Sequence, residues 1–184
     1  NGGADWCPGI DESFDAAFLI GAHAMAGTKG AFLDHTQSSA SWYNFYLNGK
    51  RHGEIGQFAA WAGYYGVPLV LVTGDEAACR EAEELLGADS VVTVAVKRAI
   101  SRQWARCIHP KRAQQMIYEG AKRAIELVRA GKARPYVLEK PIRVRLEFYR
   151  TDMADPFEHH PRVRRVGPRE IEMTVEREID MMNW

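Results

Sequence analysis

Three short, unbroken apolar runs constrain this chain more than any other feature. Residues 16–21, 69–72 and 91–96 carry no charge, the pattern of strands buried on both faces of a sheet. Helical signals stand between and after them. From Glu54 to about Tyr65, Ile55, Phe58, Ala59 and Ala62 share one face, Gly66 caps the segment and Pro68 blocks its continuation. Asp75 has the position and chemistry of an N-cap for a second helix that Gly87 closes. Pro110 opens a third, longer helix as its first residue. Its buried stripe is expected to be Ala113, Met116, Ile117, Ala121, Ala124, Ile125 and Val128, ending at Gly131.

Two more strands fit around these elements. Residues 42–47 are aromatic and end in the turn pair Asn48-Gly49. Residues 142–148 alternate, with Val144, Leu146 and Phe148 on one face. The order of elements predicts an α/β fold of the three-layer type, a mainly parallel sheet flanked by helices. The expected division is a metal-binding catalytic domain over 1–135 and a small C-terminal α+β extension over 136–184. That extension is expected to hold a short helix near 155–160 and one or two strands within 162–175.

A chain of 184 residues that is 46% hydrophobic can bury a sizeable core. Acidic and basic residues balance at 24 each, which argues against a general binder of nucleic acid or of membrane surfaces. The cluster Arg162, Arg164, Arg165 and Arg169 has the alternation of a solvated strand face. No apolar run is long enough for a membrane span, and no signal peptide is visible. Cys7, Cys79 and Cys107 form no close pair and leave an odd one over. A reduced, cytoplasmic setting is the expectation.

Chemistry is expected where strands of an open α/β sheet end. His23 lies just past the first strand, His35 in the polar loop that follows, and Glu54 at the start of a helix, where the helix dipole favours a carboxylate. Two imidazoles and a carboxylate suit either zinc or acid–base work. Their spacing matches no standard metal motif, so a hydrogen-bonded His23 and a Glu54 that merely complements the helix dipole remain open. His52 is expected to be solvated in a basic turn. His109 neighbours a helix cap, and the adjacent His159 and His160 would diverge on a helix.

A run of motifs carries a more specific message. Gly21-Ala22-His23-Ala24-Met25-Ala26, Asp34-His35-Thr36, Tyr46-Leu47-Asn48-Gly49 and Gly53-Glu54-Ile55-Gly56 occur in that order. They are followed by Ala62-Gly63-Tyr64-Tyr65-Gly66-Val67-Pro68, Gly74-Asp75, Glu81-Ala82-Glu83-Glu84-Leu85, Ala95-Val96-Lys97 and Ile100-Ser101-Arg102. Together these resemble the DppA-like zinc-dependent D-aminopeptidases, closely over residues 14–130 and loosely beyond 140. The resemblance implies an α/β domain, a site for two zinc ions, hydrolysis of N-terminal D-amino acids from short peptides, and a ring-shaped homo-oligomer. By motif, His23 and Glu54 match metal ligands, and His35 matches a catalytic histidine close to the metals. The family's remaining ligands lie in an Asp-x-Glu motif and a histidine upstream of the region matched here. An N-terminal segment that supplies them is therefore expected.

Three functions follow from this reading. The first is a zinc metallo-aminopeptidase acting on short peptides. The second keeps the metal and changes the substrate to another small amide. The third is a non-catalytic assembly subunit with an incomplete metal site.

Overall fold

The computed structural model describes residues 7–184 of the chain. A four-stranded sheet has the order β1-β4-β5-β6. Its strands are β1 (Ala17–Ala22), β4 (Leu69–Asp75), β5 (Val92–Ser101) and β6 (Trp104–Cys107). The first three run parallel, and β6 folds back against β5 as a hairpin. Helix α1 (Glu54–Tyr64) and helix α2 (Glu76–Leu86) bury Ile55, Ala59, Ala78 and Ala82 with Leu69 and Val72. Helix α3 (Pro110–Arg129) packs Met116, Ile117, Ala121 and Ala124 with Val70, Leu71 and Val94 in a separate cluster. The result is the expected α/β arrangement of a mainly parallel sheet between helices. β4 is buried along its whole length, lying between β1 and β5 with α1 and α2 packed on one face and α3 on the other.

Two expectations change here. Residues 16–21 have the composition of a strand buried on both faces, yet among the described residues β1 is the edge of the sheet, and Phe18 and Ile20 are exposed. The polar stretch after residue 96 is regular structure: β5 continues to Ser101 and returns as β6. Lys97, Arg98, Arg102 and Arg106 hide this hairpin from an apolar pattern search, because much of it projects beyond the layers. On α3, Ile125 falls outside the buried stripe and is exposed beside β1.

A second, antiparallel sheet has the order β3-β2-β7-β9-β8. It joins β2 (Trp42–Leu47) and β3 (Lys50–Arg51) to β7 (Ile142–Phe148), β8 (Arg164–Gly167) and β9 (Glu170–Val175). The β2–β3 turn places Asn48 at φ 49° and Gly49 at φ 81°, the left-handed pair a two-residue hairpin turn requires. Phe45, Leu47, Val144, Leu146, Ile171 and Met173 form one core with Trp61 of α1 and Met181. The tail thus adds core residues, with short 3₁₀ turns at Thr151–Met153 and Asp155–Phe157 in place of the helix expected near 155–160. Residues 42–51 are sheet partners of residues 142–175, so the two sheets are joined through the segment that leads directly into α1. No helix among the described residues is long and apolar enough to cross a membrane.

Candidate metal centre

His23, His35 and Glu54 come together where β1 ends and α1 begins. Each offers one ligand atom, and these atoms all lie within 4.8 Å of one another. The His23 and His35 rings stack with centroids 3.8 Å apart. His23 Nε2 is 3.5 Å and His35 Nε2 is 3.6 Å from Glu54 Oε1.

The hydrogen bonds on the far side of each ring decide what faces the centre. His23 Nδ1 lies 3.2 Å from the Ala24 carbonyl, and His35 Nδ1 lies 2.7 Å from the Leu33 carbonyl. A carbonyl oxygen only accepts, so Nδ1 carries a proton, and in the neutral form of each ring the Nε2 lone pair turns inward. Two lone pairs and a carboxylate oxygen then converge with no hydrogen between them. A cation satisfies that arrangement, and an Nδ1–H to backbone carbonyl bond is how metal-binding histidines are usually oriented. The donor set, two imidazole nitrogens and a carboxylate, suits zinc.

Glu54 is held by regular structure. It is the first residue of α1, Gly53 provides the extended N-cap, and Gln37 N–H donates to Glu54 Oε1 at 2.8 Å. Gln57, one turn along α1 and fully buried, accepts from the Gln37 side chain at 2.8 Å. The histidines sit on an irregular loop whose backbone groups are taken up by distant side chains. Met25 N–H donates to Glu81 on α2 at 2.7 Å, and Ala26 N–H donates to Thr36 at 3.2 Å. Gly27 N–H donates to Asp34 at 2.7 Å, and Phe32 N–H donates to Asp75 at 2.7 Å. The Leu33 N–H donates to the Arg102 carbonyl on the β5–β6 hairpin at 2.7 Å. Asp75 does two jobs, because its other oxygen caps α2 at Ala78 N–H, 2.9 Å, as the sequence predicts.

His52 is not solvated. It is almost fully buried, with Nδ1 2.7 Å from the Lys50 carbonyl and Nε2 2.8 Å from the Tyr136 hydroxyl. Burial, aided by the Lys50 charge, pulls its pKa down to about 4. The sequence placed it in a basic turn, but that turn is covered by the chain running into β7. Glu81 is likewise buried, and burial pushes its pKa up to about 7, against the pull of the Met25 hydrogen bond and Arg51. Residues 37, 57, 75, 81 and 102 all shape the site, and only residue 75 carries a local sequence signal, its N-cap. His109 takes the N-cap position of α3, and His160 accepts from Val163 N–H at 3.2 Å. Neither joins the centre. A cavity of about 170 Å3 adjoins the triad, walled by Leu19, Ile20 and Ile55 with His23 and Glu54.

An α/β layer structure with an imidazole–imidazole–carboxylate cluster at a strand end defines a class, the metal-site α/β proteins. Within it, a protein-family model described as peptidase M55, D-aminopeptidase, matches residues 6–184. The chain belongs to that family. A D-aminopeptidase of Bacillus subtilis (strain 168) is 39% identical over 127 residues, 69% of this chain and 44% of the relative. A solved structure, the Zn-dependent D-aminopeptidase DppA from Bacillus subtilis, described as a self-compartmentalizing protease, superposes with a TM-score of 0.87 at 29% identity. That match covers 95% of this chain and 62% of DppA. The matches therefore span between about two-fifths and three-fifths of the length of these relatives.

Proposed function

We propose that this chain carries a large part of the active site of a zinc-dependent aminopeptidase that removes N-terminal D-amino acids from short peptides. The carrying observation is the convergence of His23, His35 and Glu54, with ligand atoms within 4.8 Å. In this reading His23 and Glu54 hold zinc, and His35 is the catalytic histidine beside it. Two donors fall short of a closed shell, so water, substrate and further protein donors complete a site for two ions. Self-assembly into a ring-shaped homo-oligomer is part of the same reading, supported by the self-compartmentalizing relative. The free thiols Cys79 and Cys107 support a reducing, cytoplasmic setting.

Bound zinc supplies a Lewis acid for the scissile carbonyl and lowers the pKa of water. The chain's own residues do the rest. His35, locked by its Nδ1–H to the Leu33 carbonyl, keeps Nε2 free to take a proton and pass it to the leaving amine. Glu54, 3.6 Å from that nitrogen, stabilises the imidazolium while the proton resides there. The apolar wall of Leu19, Ile20 and Ile55 receives a small side chain and keeps bulk water from one side of the centre.

The test is a zinc titration with a paired peptide assay on the full-length protein. Wild type should bind zinc and hydrolyse a D-alanyl dipeptide faster than its L-epimer. Glu54→Gln, which removes the charge and keeps the shape, should lose zinc and activity together. Equal zinc binding by wild type and Glu54→Gln would refute the ligand assignment. Equal rates on both epimers would refute the substrate assignment.

A further inference from the structure

One buried carboxylate outside the triad has no part in the chemistry above, yet it touches the main chain beside both presumed zinc ligands. Glu81 lies on the second turn of α2 and is 8% exposed. Its Oε2 accepts the Met25 N–H at 2.7 Å, two residues after His23. Its Oε1 has no hydrogen-bond partner among the described residues. That oxygen packs against Gly53, the residue before Glu54, so closely that a Cβ on Gly53 would overlap it. The same Cβ would meet Met25 Cβ at 2.8 Å. Met25, Gly53 and Glu81 thus form a three-way contact on the side of the centre that faces α2, lining a cavity of about 240 Å3 with His52 and Leu85.

From this geometry we infer that Glu81 is a positioning residue: it clamps the backbone of the histidine loop to the start of α1, and so sets the separation of His23 and Glu54. The inference rests on the proposed zinc function and extends it. A carboxylate is an unusual choice for a purely structural contact. Burial without a paired cation disfavours the charged form, and here it drives the pKa up to about 7. An apolar side chain of similar volume would fill the space without that penalty. What it would not do is accept the Met25 N–H. Gly53 completes the logic, because any side chain there would push the carboxylate and Met25 apart.

Two substitutions separate positioning from packing. Glu81→Gln keeps one carbonyl acceptor for Met25 N–H, and Glu81→Met keeps the volume and length but offers no acceptor. In the full-length protein, Glu81→Met should bind zinc roughly tenfold or more weakly, the usual scale for outer partners of ligands. It should also lower kcat more than it changes KM. Glu81→Gln should restore both to near wild type, and Glu119→Gln, on the exposed face of α3, should change neither. Amide hydrogen exchange gives a reading that needs no metal: segment 24–27 should lose protection in Glu81→Met and keep it in Glu81→Gln. Gly53→Ala leaves α2 untouched and should reproduce the loss, which covers the case in which Glu81→Met does not fold. Full zinc affinity and full protection in Glu81→Met or Gly53→Ala would overturn the clamp. Equal damage from Glu81→Gln and Glu81→Met would overturn it too, since hydrogen-bond acceptance would then not be what matters. Should wild type bind no zinc at all, the proposed function fails, and the exchange data still decide whether the clamp exists.

Discussion

The two halves of the candidate metal centre are built in opposite ways. Glu54 stands on the first turn of a helix, with a glycine N-cap, the helix dipole and the buried Gln57 below it. His23 and His35 stand on a loop without regular structure, tied by Asp75, Glu81 and Arg102 from three other parts of the chain. One half borrows its order from backbone hydrogen bonding that propagates locally. The other exists only once β4, α2 and the β5–β6 hairpin are in place. The loop is held by long-range ties, whereas the helix start adds to its local order the Gln37 N–H bond to Glu54 and the packing of Gly53 against Glu81.

The sharpest way to break this comparison is inside the loop itself. A zinc ligand acts on affinity, and a catalytic histidine acts on the transition state. His23→Ala should therefore lower zinc content and activity together. His35→Ala should keep zinc near wild type while kcat falls by about 10²–10⁴. Metal analysis and steady-state kinetics on the same preparations read both. Equal loss of zinc in the two variants would make His35 a ligand, and the loop would then supply two of the three donors. Their geometry is nearly symmetric about Glu54 Oε1, at 3.5 and 3.6 Å, so function alone distinguishes the two rings.

The next effect concerns what the loop's ties do to the fold. Burial raises the pKa of Glu81 from the ordinary 4.5 to about 7 in the folded protein. Between these values the folded state binds the proton more tightly than the unfolded chain, so stability falls as pH rises through that window. The full penalty is present above pH 7 and absent below 4.5. Each pKa unit corresponds to about 1.4 kcal/mol, giving a penalty on the order of 3 kcal/mol for this nearly buried group. Glu81→Gln, which cannot ionise, should therefore be more stable than wild type at about pH 8 and equal to it near pH 4. Urea melts of the metal-free protein at both values check this. A constant offset would remove Glu81 as the source. The stabilising outcome would place the cost in burying the ionised carboxylate rather than in its hydrogen bond to Met25 N–H.

The same contrast explains how much was legible in the sequence. Helix ends carry local signals, and Asp75, Gly66, Gly87 and Pro110 marked them correctly. The alternation of residues 142–148 gave a strand and its buried face. Composition could not say that β1 lies at an edge, since Phe18 and Ile20 are as apolar as a central strand requires. Nor could it expose β6, whose charged residues mimic a loop. The triad was approached through strand-end logic, but its spacing matches no motif, and the family resemblance singled it out. Two of the ties on the histidine loop carry no local structural signal: Glu81 and Arg102 sit in charged stretches typical of solvated surfaces, and only the tertiary structure brings them to residues 25 and 33. His52 failed for the same reason, because Tyr136, which covers it, is 84 residues away.

The smallest effect tests the outermost tie. Arg102 reaches Asp34 with Nε 3.2 Å from Oδ1, and Nη2 donates to the Asp34 carbonyl at 3.0 Å. Asp34 adjoins His35, so the pair looks well placed to hold the catalytic ring. Yet the Arg102 side chain is 46% exposed, and solvent-screened ion pairs contribute about 0.2–1 kcal/mol. The main-chain bond from Leu33 N–H to the Arg102 carbonyl survives truncation to alanine. Asp34 also keeps its second partner, the Gly27 N–H. Arg102→Ala should therefore change stability by less than about 1 kcal/mol and lower kcat/KM only a few-fold, about what ~1 kcal/mol represents. High salt should bring wild type toward the variant, because screening removes the same contribution. A loss as large as that of His35→Ala would mean that the side chain, rather than the hairpin backbone, holds the loop. The comparison drawn above would then fail at its outer end, since a single exposed ion pair would carry what the main chain is expected to carry.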